Sequence, residues 1–249
     1  GSVNFHRSRT WATAVSSAMV FLGLTKPNPA SRRVAMDHGA QRGYNYPEPH
    51  VGATRAPPHA PTHDGTDDVK WRVTDGPCAS MPYARDVNFV RVGAGAGDYA
   101  KAKGMMRRWS HFQLGWSEVT PDTGVEPGNL VCVCANVLGV WIRNPLRVVY
   151  RAEESKPARN VDEGVKARFV FAHGCLAGHL LAGEESFVVE RRDDDSVWYG
   201  IRTFSRPAHP LALVTYPAVR LLQRKFAVDS MRAMREGMAK DGGTGVDRA

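Results

Sequence analysis

The stretch ARFVFAHGCLAGHLLAGEESFVVERRDDDSVWYGIRTF (residues 167–204) carries three apolar runs, at 167–175, 185–191 and 197–204. Each is short and rich in Val, Phe, Tyr or Trp, so each reads as a strand. Turn chemistry lies between them, at Leu181-Ala182-Gly183 and at Asp193-Asp194-Asp195. Side chains alternate across a strand, which puts Phe169, Phe171, His173 and Cys175 on one face of the first run. The same alternation puts Glu185, Phe187 and Val189 on one face of the second.

Working outward, strand patterns recur upstream at 130–137, 140–142 and 146–152, with turn signals at Glu126-Pro127-Gly128 and Asn144-Pro145. A short strand is expected at 116–120, and an alternating one at 87–92. Glycines 93, 95 and 97 then turn the chain into a helix over 98–109, where Tyr99, Ala102, Met105, Met106 and Trp109 fall at helical spacing. At the other end, Pro210 opens a short turn and Pro217 opens a long helix to Lys240. On that helix Val219, Leu222, Phe226 and Ala233 share one side, and Arg220, Arg224, Lys225, Arg232 and Arg235 an opposite sector. The fold class is α+β: a curved antiparallel sheet of about six or seven strands packed on a long C-terminal helix, with a cavity between them.

Of 249 residues, 43% are hydrophobic, enough for a sizeable core. No apolar run approaches the roughly 18 residues of a membrane span, so a transmembrane helix is not expected. The net charge of +8 is uneven: through His63 there are seven Arg and Lys but only Asp37 and Glu48 against them. We divide the chain into a basic, proline-rich arm (1–63), a domain (64–240) and a flexible tail (241–249). Nothing acidic precedes Asp37, the composition of an organellar targeting segment within 1–36, with mitochondrion or plastid as destination and cytoplasm as the alternative. Seven prolines from Pro27 to Pro61 predict an extended stretch without helix or strand. Order in such an arm requires Trp11, Phe21, Leu22, Leu24, Tyr44 and Tyr46 to pack on the domain's own sheet or on other subunits of a complex.

Most familiar chemistries lack their parts. There is no G-x-S-x-G, H-E-x-x-H or Walker loop, and the Gly93-x-Gly95-x-Gly97 run reads as a tight turn rather than a dinucleotide fingerprint. The basic helix sector comes with no nucleic-acid module, so no nucleic acid is expected as partner. The four cysteines (Cys78, Cys132, Cys134 and Cys175) form no C-x-x-C pair; Cys132 and Cys134 share one face of a strand and read as small buried thiols. The densest polar cluster is His173, Cys175, His179, Glu184 and Glu185. Its spacing matches no zinc motif, and neither metal nor cofactor is expected. A carboxylate beside phenylalanine on an inward face can act as general acid or base, which makes Glu185 and His179 the catalytic candidates. The expected ligand-contact set is Phe171, His173, His179, Glu185, Phe187, Trp198 and Phe226.

Several short motifs occur together in one order: Val51-Gly52-Ala53-Thr54-Arg55, Phe112-x-x-Gly115-Trp116, Asn144-Pro145-x-Arg147-Val148-Val149-Tyr150, Gly174-x-Leu176-x-Gly178-His179, Gly183-Glu184-Glu185-x-Phe187, Val197-Trp198-Tyr199 and Phe204-Ser205-Arg206-Pro207. With Tyr216-Pro217, Gln223, Phe226 and Ser230 of the last helix, they resemble the uncharacterised "domain of unknown function nineteen-ninety" family over about residues 46–238. Its strand order is similar to that of the helix-grip superfamily of START domains, birch-pollen-type allergens and polyketide cyclases. The resemblance implies a cavity for an apolar ligand between sheet and terminal helix. The chain departs from the family at His173 and Cys175, where Tyr and Thr are expected, so a catalytic role resting on that tyrosine would not carry over. Three functional expectations follow: non-catalytic binding of a small hydrophobic or lipid-like ligand, an accessory subunit of an organellar assembly, and a cofactor-free cyclase- or isomerase-like enzyme. Fold alone does not choose among them.

Overall fold

The computed structural model describes residues 20–55, 83–155 and 164–240. Trp11, Pro57, Pro58, Pro61, Cys78, the boundary at 63/64 and the tail at 241–249 lie outside the described residues. The elements in order are β1 (Phe21–Gly23), α1 (Pro29–Arg42), β2 (Ala84–Ala94), α2 (Gly95–Arg107), β3 (Ser117–Glu118), β4 (Leu130–Val137), β5 (Val140–Ser155), β6 (Val165–Cys175), β7 (Leu181–Arg192), β8 (Ser196–Pro207), α3 (Pro210–Val214) and α4 (Tyr216–Lys240). One antiparallel sheet runs β2-β8-β7-β6-β5-β4-β3, with β1 paired to β5. The first long strand thus closes against the last, as the α+β reading requires. No helix among the described residues is long and apolar enough to cross a membrane.

Alternation gives the sheet two different faces. Phe169, Phe171, Phe187, Val189, Tyr199 and Ile201 point to the concave side and pack with Trp109 and the methionines of α2 and α4. Val87, Phe89, Val170, Ala172, Val188 and Trp198 form a second layer on the convex side. A β-bulge between Val148 and Tyr150 resets the alternation within β5. Val148 therefore joins the concave core while Tyr150 joins the convex one.

Three local expectations are corrected. Asn144-Pro145 is no turn, because β5 runs through it. Proline is tolerated there since the β1 ladder ends at Arg143 and the β6 ladder starts at Leu146, so no partner strand needs the missing N–H. The Pro145 carbonyl still accepts from the Leu176 amide at 3.1 Å. Leu181-Ala182-Gly183 belongs to β7 rather than to a turn. A Cβ on Gly183 (φ +145°) would lie 2.0 Å from the Phe204 carbonyl oxygen, so the glycine serves close strand approach.

The third correction concerns 26–63, which was expected to lack regular structure but contains α1. The prolines stand before, at the first position of, and after this helix rather than in its interior. Pro29 sits in its first turn, where no N–H is needed, and Asn28 caps it by accepting the Ser31 amide at 2.8 Å. No further proline follows before Tyr46. The helix lies against β4 and β5 on the side away from the concave core, over Cys132 and Cys134, whose sulfurs are 3.7 Å apart. Arg32 and Lys26 both pair with Glu118 of β3. Phe21 (5% exposed) and Tyr46 (5%) are buried on the chain's own sheet, whereas Leu24 (83%) projects outward.

The face of α4 is also more specific than its sequence pattern. Val219, Leu222, Phe226 and Ala233 are half-buried, and the fully buried residues are Ala227, Ser230, Met231, Met234 and Met238. The C-terminal half of the helix is packed against the core, and the N-terminal half stands over a cavity.

Docking of α1 depends on Gly39, where an added Cβ would lie 2.9 Å from Leu176 Cβ and 3.0 Å from Pro145 Cβ. Gly39→Leu is expected to lower stability by about 1–3 kcal/mol through overpacking. Hydrogen exchange should show protection lost across residues 29–42 and kept in β6 to β8. An unchanged denaturation midpoint and exchange pattern would mean that α1 rests on the sheet without contributing to the fold.

Candidate ligand cavity

The cavity beneath α4 has a volume of about 210 Å³. One wall is aliphatic: Val133 and Val137 of β4, Ile142 and Leu146 of β5, with Leu222 and Phe226 from the helix. The opposite wall is polar and comes from β2, β8, β7 and β6. Strand register builds it, because Asp86 lies opposite Thr203, Thr203 opposite Glu185, and Glu185 opposite His173. One row of polar side chains therefore crosses four strands. The next row inward is Asn88, Ile201, Phe187 and Phe171, apolar except for Asn88.

Two clasps hold α4 over this space. Arg220 forks onto Asp86 with two hydrogen bonds of 2.7 Å and donates a third to Gln223 at 2.8 Å. Gln223 in turn donates to Ser205 Oγ at 2.7 Å. On the other flank Trp116 Nε1 donates to Asp229 Oδ2 at 2.9 Å. Deeper in, Tyr199 Oη and Ser230 Oγ share a buried hydrogen bond of 2.8 Å.

The histidines differ in what they can do. His173 Nε2 lies 3.3 Å from Glu185 Oε2, and its ring stacks on Trp109 at 6.0 Å between centroids. His179 Nδ1 accepts the Leu181 amide at 2.9 Å, which occupies its lone pair and leaves the proton on Nε2. Burial, aided by the neighbouring His173, pushes its pKa down to about 3. His179 is therefore neutral, and Nδ1 is not free to serve as a base. Cys175 also lines the cavity, but burial, reinforced by Glu185 and Glu184, pushes its thiol up, so it stays protonated rather than nucleophilic.

Of the residues expected to contact ligand, His173, His179, Glu185 and Phe226 come together around the cavity. Phe171 and Phe187 are fully buried in the core and do not line it. Trp198 is on the convex face, its Nε1 donating to Ser196 Oγ at 2.8 Å, because position 198 alternates with Val197 and Tyr199. Glu184, one residue from Glu185, points to the outer side for the same reason. It accepts from the Gly52 amide at 2.7 Å, the Thr54 amide at 3.0 Å, Tyr46 Oη at 3.1 Å and the Thr54 hydroxyl. The reading of the sequence missed Asn88 and Thr203. A signal was present for Asn88, a polar residue sharing a face with Val90 and Val92. Among the described residues no group of three or more His, Cys, Asp and Glu side chains is placed to hold a metal ion.

A curved antiparallel sheet packed on a long C-terminal helix, with a cavity between them, defines a helix-grip-like α+β fold. The chain belongs to the family described as "Domain of unknown function (DUF1990)", whose profile matches residues 50–233. It is 42% identical over 145 residues to a UPF0548 protein of Arabidopsis thaliana, spanning 58% of this chain and 68% of that one. A UPF0548 protein of Deinococcus radiodurans is 33% identical over 142 residues, spanning 55% of this chain and 70% of its own. Among solved structures, Ara h 8.0201 is similar at 12% identity and a TM-score of 0.37, covering 62% of this chain and 99% of that one. A hypothetical protein from Helicobacter pylori is similar at 14% identity and a TM-score of 0.35, covering 68% and 97% respectively.

Two histidines with lowered pKa values, His111 in the core and half-buried His179, make stability depend on pH. His111 stacks on Trp109 at 5.6 Å with neither ring nitrogen partnered among the described residues, and burial, then His173, holds its pKa well below the ordinary 6.5. For His111 and His179 the unfolded chain binds protons that the folded chain does not, once the pH falls below about 6.5. Stability is then fully present above about 6.5 and falls below it by up to about 1.4 kcal/mol per pH unit for each ring, the His179 contribution levelling off near 3. Denaturation midpoints at pH 7 and pH 5 should show this loss, and His111→Phe should reduce it. An equal loss in the variant would mean that His111 is not held neutral.

Proposed function

We propose that this protein binds a small hydrophobic ligand in the cavity beneath α4 without acting on it chemically. The observation that carries this reading is that Val133, Val137, Ile142 and Leu222 line one cavity beneath the helix. Protein interiors normally close-pack, and apolar side chains bordering a void lack dispersion partners that an apolar ligand supplies. A mostly apolar wall with a few convergent polar groups is the usual composition of a small-molecule site. The protonated Cys175 thiol and the engaged Nδ1 of His179 argue in the same direction, since neither offers a ready nucleophile or base.

One observation favours a second reading. The His173–Glu185 pair stands in the cavity wall with Glu185 half-buried, an arrangement suited to cofactor-free proton transfer by Glu185. Residues 20–55 lie on the chain's own sheet, which supports the chain acting alone over a role as a partner-held accessory subunit.

Native mass spectrometry of protein purified from its source, together with titration of an apolar fluorescent probe, tests the binding reading. Saturable binding of one probe per chain is expected. Leu222→Trp should fill the cavity and weaken binding by tenfold or more, with a denaturation midpoint at or above wild type, on the order of 1 kcal/mol from restored packing. Undiminished binding to this variant would place the ligand elsewhere. Conversion of a retained ligand by wild type but not by Glu185→Gln would favour the enzymatic reading.

A further inference from the structure

We propose that the ligand bears a neutral, planar group with a hydrogen-bond donor beside an acceptor, such as a carboxamide or lactam, and that Asn88 is the residue that reads it. The inference rests on the binding reading above and adds the chemistry of the ligand's polar end. Asn88 lies on β2, lines the cavity, and is only 1% exposed. Neither its Oδ1 nor its Nδ2 has a protein hydrogen-bond partner among the described residues. Buried polar groups are nearly always paired, and an unpaired side-chain amide is a net cost to the free protein.

Position strengthens the argument. Asn88 is in register with Ile201, and that row continues through Phe187 and Phe171, all of them buried and apolar. The packing of this row gains nothing from an amide. The neighbouring polar groups are unsuited to satisfying it, since Asp86 is occupied by the forked bond from Arg220 and Glu185 faces His173. A side-chain amide offers one acceptor and two donors in a plane, and its complement is a group of the same kind. Glu185 in the adjacent row adds a carboxylate on the same face, while Asp86 is neutralised by Arg220, and this disfavours an anionic headgroup such as a fatty-acid carboxylate. The aliphatic wall takes the ligand's apolar body.

The test uses four probes sharing one apolar body: naphthalene, 2-naphthamide, 2-naphthoate and methyl 2-naphthyl ketone, titrated calorimetrically into the full chain at pH 7.5. Wild type should prefer the amide over the ketone and the carboxylate by roughly tenfold or more, the scale expected when a site built to hydrogen-bond meets a ligand lacking the group. Asn88→Leu should remove that preference, keep naphthalene binding, and raise the denaturation midpoint of the free protein by removing the unpaired amide. Asn88→Asp keeps the size but only accepts, so it should keep a preference for the amide's N–H donor while binding the ketone and the carboxylate more weakly. Equal affinity of all four probes for wild type would overturn the role of Asn88 while leaving the cavity as a ligand site. Failure of every probe, naphthalene included, would overturn both. A preference that persists in Asn88→Leu would assign the selectivity to another residue and sink the proposal.

Discussion

Burial of Met231, Met234 and Met238 against the sheet and against Met105 and Met106 of α2 anchors α4, and the rest of the concave side depends on that anchor. The Met105 side chain reaches over Gly237, where an added Cβ would lie 2.2 Å from its flexible Cε end. Flexible thioethers fill irregular gaps well, which suits a helix laid across a curved sheet. With the C-terminal half fixed, the N-terminal half is carried out over β4, β5 and β7. There the side chains below are smaller or polar, among them Ala135, Cys175 and Thr203, and the space is not filled. The Asp86–Arg220 fork and the Trp116–Asp229 bond then hold the helix over the opening.

The outer side of the sheet is organised around a different group, the buried Glu184 carboxylate. It gathers donors from Tyr46, Gly52 and Thr54, while Thr54 also meets Tyr150 and Arg55 lies 4.7 Å above the Tyr150 ring. Three of the motifs that carry the family resemblance, at 51–55, 144–150 and 183–187, meet at this point. Their physical content is therefore attachment of the N-terminal segment to the sheet as much as the cavity. Gly174 takes part by size, because a Cβ there would lie 2.2 Å from Tyr46 Oη. The residues that look like one polar cluster in the sequence thus serve two separated purposes, Glu184 outside and Glu185 inside.

Much of the fold was legible in the sequence. Residues 130–137 read as a strand with the observed bounds, and the apolar faces of β6 and β7 were visible from alternation alone. These follow from backbone geometry, which acts over a few residues and leaves its period in the chain. Asn144-Pro145, Leu181–Gly183 and α1 were misread because their local signals are real but overruled by neighbours distant in sequence. Pro145 is tolerated only because two ladders change over at that position, and Gly183 is needed only because β8 passes close by.

The sequence by itself determined the types and order of the elements from β2 onward, the two-faced sheet and the inward placement of His173, Cys175 and Glu185, since each depends on a short-range period. The tertiary structure decided which stretch of α4 is packed and which roofs a cavity, and it separated Phe171 and Phe187 in the core from Phe226 at the wall. It also left Asn88 without a partner. Those outcomes are set by how distant surfaces fit together, and a void or an unpaired amide is a property of that fit rather than of any residue's own chain neighbours.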